Sequence, residues 1–131
     1  MTPAAERKVI KTETAEIWMD EEGIVWIENH VPAVNKKDIK ENLLAVIEFA
    51  QQTKRPVINI INSITMIEKE ARDYGASEEV KKAVSAMALV ANGRLSVLVA
   101  NLFIRLSVPP FPTKLFTSNE DALIWLKKFP G

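Results

Sequence analysis

Two short segments near the start of the chain alternate between apolar and polar residues, TAEIWM at 14–19 and IVWIEN at 24–29. Alternation with a period of two, in runs rich in β-branched and aromatic residues, predicts two strands, and the polar segment that ends at Gly23 predicts a hairpin turn between them. With Gly23 in the left-handed conformation, Trp18 lies opposite Trp26. Both tryptophans then lie on the more polar face of the hairpin. The opposite face turns four apolar residues towards the core: Ile17, Met19, Val25 and Ile27.

Apolar residues at helical spacing follow the hairpin. We predict a helix that begins after Asn35, a favourable N-cap with Asp38 three residues later, and that ends before Lys54. Pro56 cannot continue a helix. The segment 57–61 that follows is short, β-branched and almost wholly apolar, which predicts a central strand buried on both faces.

The rest of the chain alternates between predicted helices and strands. The elements, in order, are an amphipathic helix that carries Ile64, Ile67, Ala71 and Tyr74 and ends at Gly75, a short helix after the cap Ser77, a strand at 84–91, a helix at 94–106, a strand at 114–116 and a helix from Ser118 to Lys128. The segment 84–91 is ambiguous, because Ala, Met and Leu favour a helix, whereas its length and the need to reverse direction before Gly93 favour a strand. We predict a strand there.

Length and composition indicate one globular domain that spans residues 1–131. A chain of 131 residues is close to the commonest size of a single domain, and 47% hydrophobic residues suffice for a core. A hairpin followed by alternating helices and strands predicts an α/β fold with a small mixed sheet of about five strands. We find no internal repeat and no linker.

Charge and cysteine content narrow the range of partners. Seventeen Lys and Arg residues balance seventeen Asp and Glu residues without a basic stripe, so nucleic acid is not an expected partner. The absence of cysteine and of an apolar signal-peptide segment fits a cytoplasmic protein. The longest apolar stretch, 95–106, is shorter than the roughly 20 residues that span a bilayer, so we expect no transmembrane segment.

Three stretches of sequence carry a family resemblance: INIINSITMIEKEARDYGAS, residues 82–90, and PPFPTKLFTSNEDALIWLKKF. Together with the order of elements, they resemble the STAS superfamily, whose type members are bacterial anti-sigma-factor antagonists. The similarity is greater to its SpoIIAA-like branch of small uncharacterised bacterial proteins. The resemblance implies a SpoIIAA-like fold over most of the chain.

The resemblance does not extend to the phosphorylation switch of that superfamily. In the type members, a serine in a motif written roughly D-L-S-F-M-D-S-S-G is phosphorylated by a partner kinase. Aligned on that motif, this chain has Glu68 at the second aspartate, Lys69 at the phosphoacceptor and Ala71 at the glycine. Because lysine offers no hydroxyl, we expect neither this phosphorylation nor the anti-sigma activity that depends on it.

No residue pattern in the sequence indicates catalysis, a cofactor or a metal. His30 is the only histidine, and its place after the predicted hairpin indicates a surface turn. We interpret Asp20-Glu21-Glu22 as a solvated turn, because it lacks the spaced oxygen ligands of a calcium loop. Ser63 and Thr65 lie at the carboxyl end of the central strand, where ligands bind in open α/β sheets, although turn formation and helix capping also explain them.

Two parts of the sequence contain more apolar residues than a single core would bury. One is the pair of tryptophans on the polar face of the hairpin, and the other is the helix at 94–106, which is apolar around most of its circumference. The predicted interaction residues are Trp18, Trp26, Leu95, Leu98, Leu102 and Phe103. They predict a homodimer, and we prefer the helix over the tryptophan pair as its interface.

The leading hypothesis is therefore a non-enzymatic regulatory or protein-interaction domain. The alternative is a carrier of a small apolar ligand or lipid, which requires a closed apolar cavity. An enzyme that uses Glu68 or Glu70 as a base ranks last, because the sequence places no second catalytic group beside either residue.

Overall fold

The computed structural model describes residues 7–129. No helix within this range is long and apolar enough to cross a membrane. The elements, in chain order, are β1 (Ile10–Lys11), β2 (Ala15–Met19), β3 (Val25–Asn29), β4 (Ala33–Val34), α1 (Lys36–Ala50), β5 (Arg55–Ile60), β6 (Met66–Ile67), α2 (Lys69–Gly75), α3 (Glu78–Lys81), β7 (Val84–Val90), α4 (Arg94–Leu102), a π-helical segment (Phe103–Ser107), β8 (Thr113–Phe116) and α5 (Asn119–Leu126).

The main sheet has six strands in the order β1-β2-β3-β5-β7-β8. Strand β2 pairs antiparallel with both β1 and β3, whereas β3, β5, β7 and β8 run parallel to one another. This arrangement confirms the predicted α/β fold with a mixed sheet, and the ambiguous segment 84–91 supplies strand β7. The sheet exceeds the predicted five strands because the two-residue strand β1 adds to the edge of the hairpin.

The hairpin formed by β2 and β3 has the predicted register, with Trp18 opposite Trp26. Gly23 has a φ of 81°, in the left-handed region that residues with a Cβ rarely adopt. Asp20 stabilises the turn, because its Oδ1 accepts a hydrogen bond from the backbone N–H of Ile24 at 3.0 Å. The acidic segment at the turn is thus structural.

Different helices bury the two faces of the sheet. Helices α1, α2 and α4 cover one face, and α5 covers the other over β5 and β7. Val57 and Ile58, consecutive residues of β5 that point to opposite faces, are both fully buried, as predicted for a central strand. The outer part of the α5 face remains partly open, and the tryptophan pair lies there.

Side chains cap the helices where the sequence predicts. Asn35 Oδ1 accepts from the backbone N–H of Asp38 at 2.9 Å, and Asp38 Oδ2 accepts from the backbone N–H of Asn35 at 2.9 Å. This reciprocal capping box begins α1. Ser118 Oγ accepts from the backbone N–H of Asp121 at 3.2 Å and begins α5 in the same way.

The helix predicted to include Ile64 and Ile67 begins later than their spacing indicates, and that prediction was wrong. Residues Met66–Ile67 form strand β6, which pairs in parallel with β4, and α2 follows it. The backbone N–H of Thr65 donates to the carbonyl oxygen of Pro32 at 2.9 Å, which holds this segment extended against the loop after β3. A tertiary contact therefore overrides the local helical pattern.

The helix predicted at 94–106 changes type near its end. The α-helix runs over Arg94–Leu102, and the next residues, Phe103–Ser107, form a π-helical segment. The segment ends at Val108, whose φ of 46° lies in the left-handed region and is strained for a β-branched residue. Two prolines follow directly, and neither can extend a helix.

Both edges of the main sheet are short. Strand β1 has two residues and β8 has four. Each edge strand carries a lysine, Lys11 in β1 and Lys114 in β8.

The end of α1 offers a test of stability. Gln51 caps this helix with a φ of 49°, a conformation that glycine adopts without a clash from Cβ. We expect Gln51→Gly to raise the free energy of unfolding by about 0.5–1 kcal/mol, measured by urea denaturation. Gln51→Ala keeps a Cβ and should change stability by less than about 0.5 kcal/mol. An equal gain in both variants would contradict this assignment.

Tyr74, the only tyrosine, offers a test of pH dependence. Burial raises the pKa of Tyr74 to about 12, and the hydrogen bond to Glu79 and the negative charge of that carboxylate act in the same direction. Because the folded protein holds the phenol proton more tightly than the unfolded chain, this contribution to stability is complete below pH 10 and is lost as the pH rises towards about 12.

We therefore expect phenolate absorbance to develop near pH 12 in the native protein and near pH 10 in urea. Between these values, Tyr74→Phe should lose stability less steeply than the wild type, since phenylalanine does not titrate. A native midpoint near pH 10 would show that burial does not perturb this group.

Candidate functional site

A cavity of about 90 Å³ lies between the sheet and the helices α1, α2 and α4. None of the described residues that line it has an ionisable side chain. Most of the lining is apolar, with Val57, Met87 and Leu89 from the sheet, Leu43 and Val46 from α1, Ala71 from α2, Val99 and Ala100 from α4, and Phe103 from the π-helical segment. An apolar pocket with a few placed polar groups is the usual form of a small-molecule site.

Asn29 and Asn59 form a polar patch in this lining. Asn29 Nδ2 donates to Asn59 Oδ1 at 2.8 Å and to the carbonyl oxygen of Ile60 at 2.9 Å. Among the described residues, Asn59 Nδ2 has only the sulfur of Met87 as a partner, at 4.0 Å. Sequence reasoning missed this pair, although an asparagine inside an otherwise apolar central strand was a visible signal.

The mouth of the cavity lies between α1 and the segment that contains β6 and α2. Three lining residues there, Ile39, Ile67 and Gly75, are partly exposed, whereas the other apolar lining residues are buried. A Cβ placed on Gly75 would lie 3.2 Å from the ring of Phe103. The glycine therefore allows α2 to approach the π-helical segment closely.

A stripe of leucines lies on the outer side of α4 and its π-helical extension. The exposed fractions are 57% for Leu95, 52% for Leu98, 37% for Leu102 and 64% for Leu106. Their spacing of three or four residues places them on one side of the helix. We call these four residues the leucine stripe.

Phe103, predicted with the leucines as an interaction residue, does not belong to this surface. It is only 8% exposed and lines the cavity. The correction has a simple geometric reason: Phe103 lies on the side of the helix that faces the sheet, together with Val99 and Ala100.

Trp18 and Trp26 stack on the outer part of the α5 face, with ring centroids 5.6 Å apart and planes at 14°. Other residues of the chain already contact both rings. The guanidinium of Arg7 lies 4.9 Å from the Trp18 ring, and Trp26 Nε1 donates to Asp20 Oδ2 at 2.9 Å. Trp26 also packs against the apolar cluster under α5.

Glu16, Glu28 and His30 form a cluster of potential metal ligands on the same face, with ligand atoms within 4.8 Å of one another. The arrangement could hold a divalent cation through three protein ligands. Two groups already contact Glu16: His30 Nε2 lies 3.6 Å from its Oε1, and Lys11 Nζ lies 3.8 Å from its Oε2.

The polar residues that follow β5 have structural roles. Ser63 Oγ donates to the backbone carbonyls of Asn29 and Val31, at 3.1 and 3.0 Å, and joins two loops. Thr65 Oγ1 donates to a carbonyl of the same loop at 3.4 Å. Lys69, at the position of the phosphoacceptor, lies in the first turn of α2 and pairs with Asp73 at 2.8 Å.

Two solved structures are similar to this chain, and one of them shows its fold. A protein of the DUF3478 family from Shewanella loihica PV-4, uncharacterised and with a SpoIIAA-like fold, is similar over 92% of this chain and 91% of its own, with a TM-score of 0.56 and 15% identity. A protein of unknown function from Arthrobacter sp. FB24 matches over 85% of this chain and 97% of its own at 22% identity, with a TM-score of 0.34. The first of these confirms the predicted SpoIIAA-like, STAS-type fold.

A family model identifies the family of this chain. No curated protein matches it. A model described as a domain of unknown function, DUF7793, matches residues 17–130, which include every strand of the main sheet except β1 and the first two residues of β2. The chain belongs to the DUF7793 family.

Proposed function

We propose that this protein is a non-enzymatic interaction domain that forms a homodimer through the leucine stripe. The observation that supports this most strongly is the exposure of Leu95, Leu98, Leu102 and Leu106 on one side of one helix. Soluble monomers rarely leave a contiguous apolar patch of this kind in water, and such patches usually belong to an interface.

A second copy of the chain is the simplest occupant of this stripe. In a dimer with twofold symmetry, one patch serves both subunits, and apolar residues spaced by three and four pack well between crossing helices. A twofold axis near Leu98 and Leu102 would let the helix ends diverge. Arg94 and Arg105, which flank the stripe, would then remain in solvent rather than face their own copies.

The tryptophan pair is the weaker candidate for the interface. Arg7 covers one face of Trp18, and Trp26 has its indole N–H paired and its ring packed under α5. The leucines have no comparable cover from the described residues. An interface at the leucine stripe would therefore remove more exposed apolar surface from water than an interface at the tryptophan pair.

Two further observations support a role without catalysis. Lys69 stands where the related phosphorylation switch requires a hydroxyl, so regulation through this domain would act by binding. The only cluster of potential metal ligands found within residues 7–129 lies on the open face of the sheet, on the opposite side from the cavity. A cytoplasmic location fits the cysteine-free sequence.

A second candidate function, the binding or carriage of a small apolar ligand, is supported by the cavity. An engineered cavity of about 150 Å³ lined by Leu, Ile and Phe binds benzene. A cavity of about 90 Å³ matches a smaller molecule, so a small ligand fits this protein better than a lipid does.

The dimer predicts a specific change in sedimentation. The double substitution L98E and L102E places like charges in the interface and should convert a dimer into a monomer in analytical ultracentrifugation. Leu44→Glu is the matched control, because Leu44 is 67% exposed on α1, outside the stripe, and should leave the dimer intact. Circular dichroism verifies that each variant is folded.

Two outcomes would contradict the homodimer. One is a wild-type protein that sediments as a monomer well above micromolar concentrations. The other is a monomer whose leucine stripe binds anionic lipid vesicles, which would assign the same residues to a membrane surface.

The cavity predicts binding of an apolar probe. Cyclopentane should shift the NMR methyl signals of Val57, Leu89 and Val99 in the wild type. Ala100→Leu should abolish these shifts, because its added carbons occupy the cavity, whereas Asn101→Leu adds similar bulk outside the lining and should preserve them. Unchanged methyl signals in the wild type at saturating cyclopentane would exclude the carrier function.

A further inference from the structure

We infer that the cavity recognises a neutral ligand whose polar group both accepts and donates a hydrogen bond, and that Asn29 and Asn59 supply the complementary groups. This inference rests on the small-ligand function proposed above and adds the chemical class of the ligand. An aliphatic primary amide or alcohol of a few heavy atoms has the required properties.

The orientation of the two asparagines follows from a single contact. A backbone carbonyl can only accept, so the atom of Asn29 that lies 2.9 Å from the oxygen of Ile60 must be the nitrogen. The same nitrogen lies 2.8 Å from Asn59, so the atom that it meets there must be the amide oxygen. Both protons of Asn29 Nδ2 are thereby used.

Two polar atoms of the pair lack a strong partner within the described part of the chain. Asn59 Nδ2 reaches only the thioether of Met87, a weak acceptor, at 4.0 Å. Asn29 Oδ1 accepts no hydrogen bond from the described residues, although Asn29 is only 8% exposed. The pair thus offers the cavity one donor group and one acceptor atom. The third asparagine of the lining, Asn42, already accepts from Thr12 Oγ1 at 2.7 Å and donates to Thr14 Oγ1 at 3.2 Å.

A ligand in this site would complete the hydrogen bonds that Asn29 Oδ1 and Asn59 Nδ2 do not form within the described residues. Asn59 is only partly buried although it belongs to a central strand and lies under the helical layer, which is consistent with exposure to the cavity itself.

The lining also determines the charge of the ligand. None of its described residues can pair with a carboxylate or an ammonium group, and burial of an unpaired charge is strongly unfavourable. The volume of about 90 Å³ fully encloses roughly four heavy atoms, by proportion to the benzene-binding cavity, and any further atoms of a ligand would lie in the mouth. A neutral amide meets both limits.

Isobutyramide and isobutyrate provide a matched pair of probes, since they have the same shape and differ in charge at pH 7. We expect the wild-type protein to bind isobutyramide at least about tenfold more tightly than isobutyrate in an NMR titration, the factor that one unsatisfied hydrogen bond commonly contributes. The side-chain amide signals of Asn59 and Asn29 should shift with isobutyramide. This comparison requires no substitution and therefore no refolding control.

A variant then tests the role of Asn59. Asn59→Leu should weaken isobutyramide binding at least about tenfold and change cyclopentane binding by less than about threefold, because the apolar lining is retained. Asn101→Leu, outside the lining, is the matched control and should leave the affinity for both probes unchanged.

The outcomes separate this inference from the function on which it rests. If cyclopentane binds but the amide shows no preference over the carboxylate, or the asparagine signals do not move, the recognition of a neutral polar group is wrong and the apolar site stands. If none of the probes binds, both proposals fall.

Discussion

Burial of the parallel strands β5 and β7 from both sides is the constraint on which the rest of this structure depends. Their backbones can form hydrogen bonds only with neighbouring strands, and their side chains on both faces must be covered by helices. Helix α5 covers one face, and α1, α2 and α4 cover the other. The hairpin and β8 extend the sheet outward, where cover is thinner and the tryptophan pair becomes partly exposed.

Within that arrangement, the cavity represents a departure from close packing. A cavity of about 90 Å³ costs about 2 kcal/mol at roughly 24 cal/mol per Å³, a substantial part of the 5–15 kcal/mol that stabilises a typical domain. Larger side chains at Ala71 or Ala100 would fill it. The lining of this volume also includes three asparagines, Asn29, Asn42 and Asn59, among its apolar residues.

Much of the fold could be predicted because the residues that determine its turns and helix ends lie close together in the sequence. Gly23 and the alternation around it set the hairpin register, and Asn35 and Ser118 marked the helix starts by capping chemistry that acts within three residues. Prediction was wrong where a distant contact decided the outcome, as when the carbonyl of Pro32 held the segment before α2 extended.

For the candidate site, too, local features could be predicted from the sequence and distant contacts could not. Periodicity alone identified the leucines of α4 as surplus apolar surface, since spacing along one helix determines which residues share a side. It could not show that Phe103 faces inward, because the sequence does not say which side of an apolar helix meets the sheet. The contact between Asn29 and Asn59 was also hidden, because it joins two strands thirty residues apart in the chain.

The short edge strands have a consequence for how this molecule behaves at high concentration. An exposed edge can recruit a strand from another molecule and grow into a fibril, and natural sheets prevent this with brief edges and inward or flanking charge. Here β1 has two residues and β8 has four, and each strand carries a lysine, whose charge disfavours pairing with a further strand. Backbone pairing between copies is therefore disfavoured at both edges of the sheet.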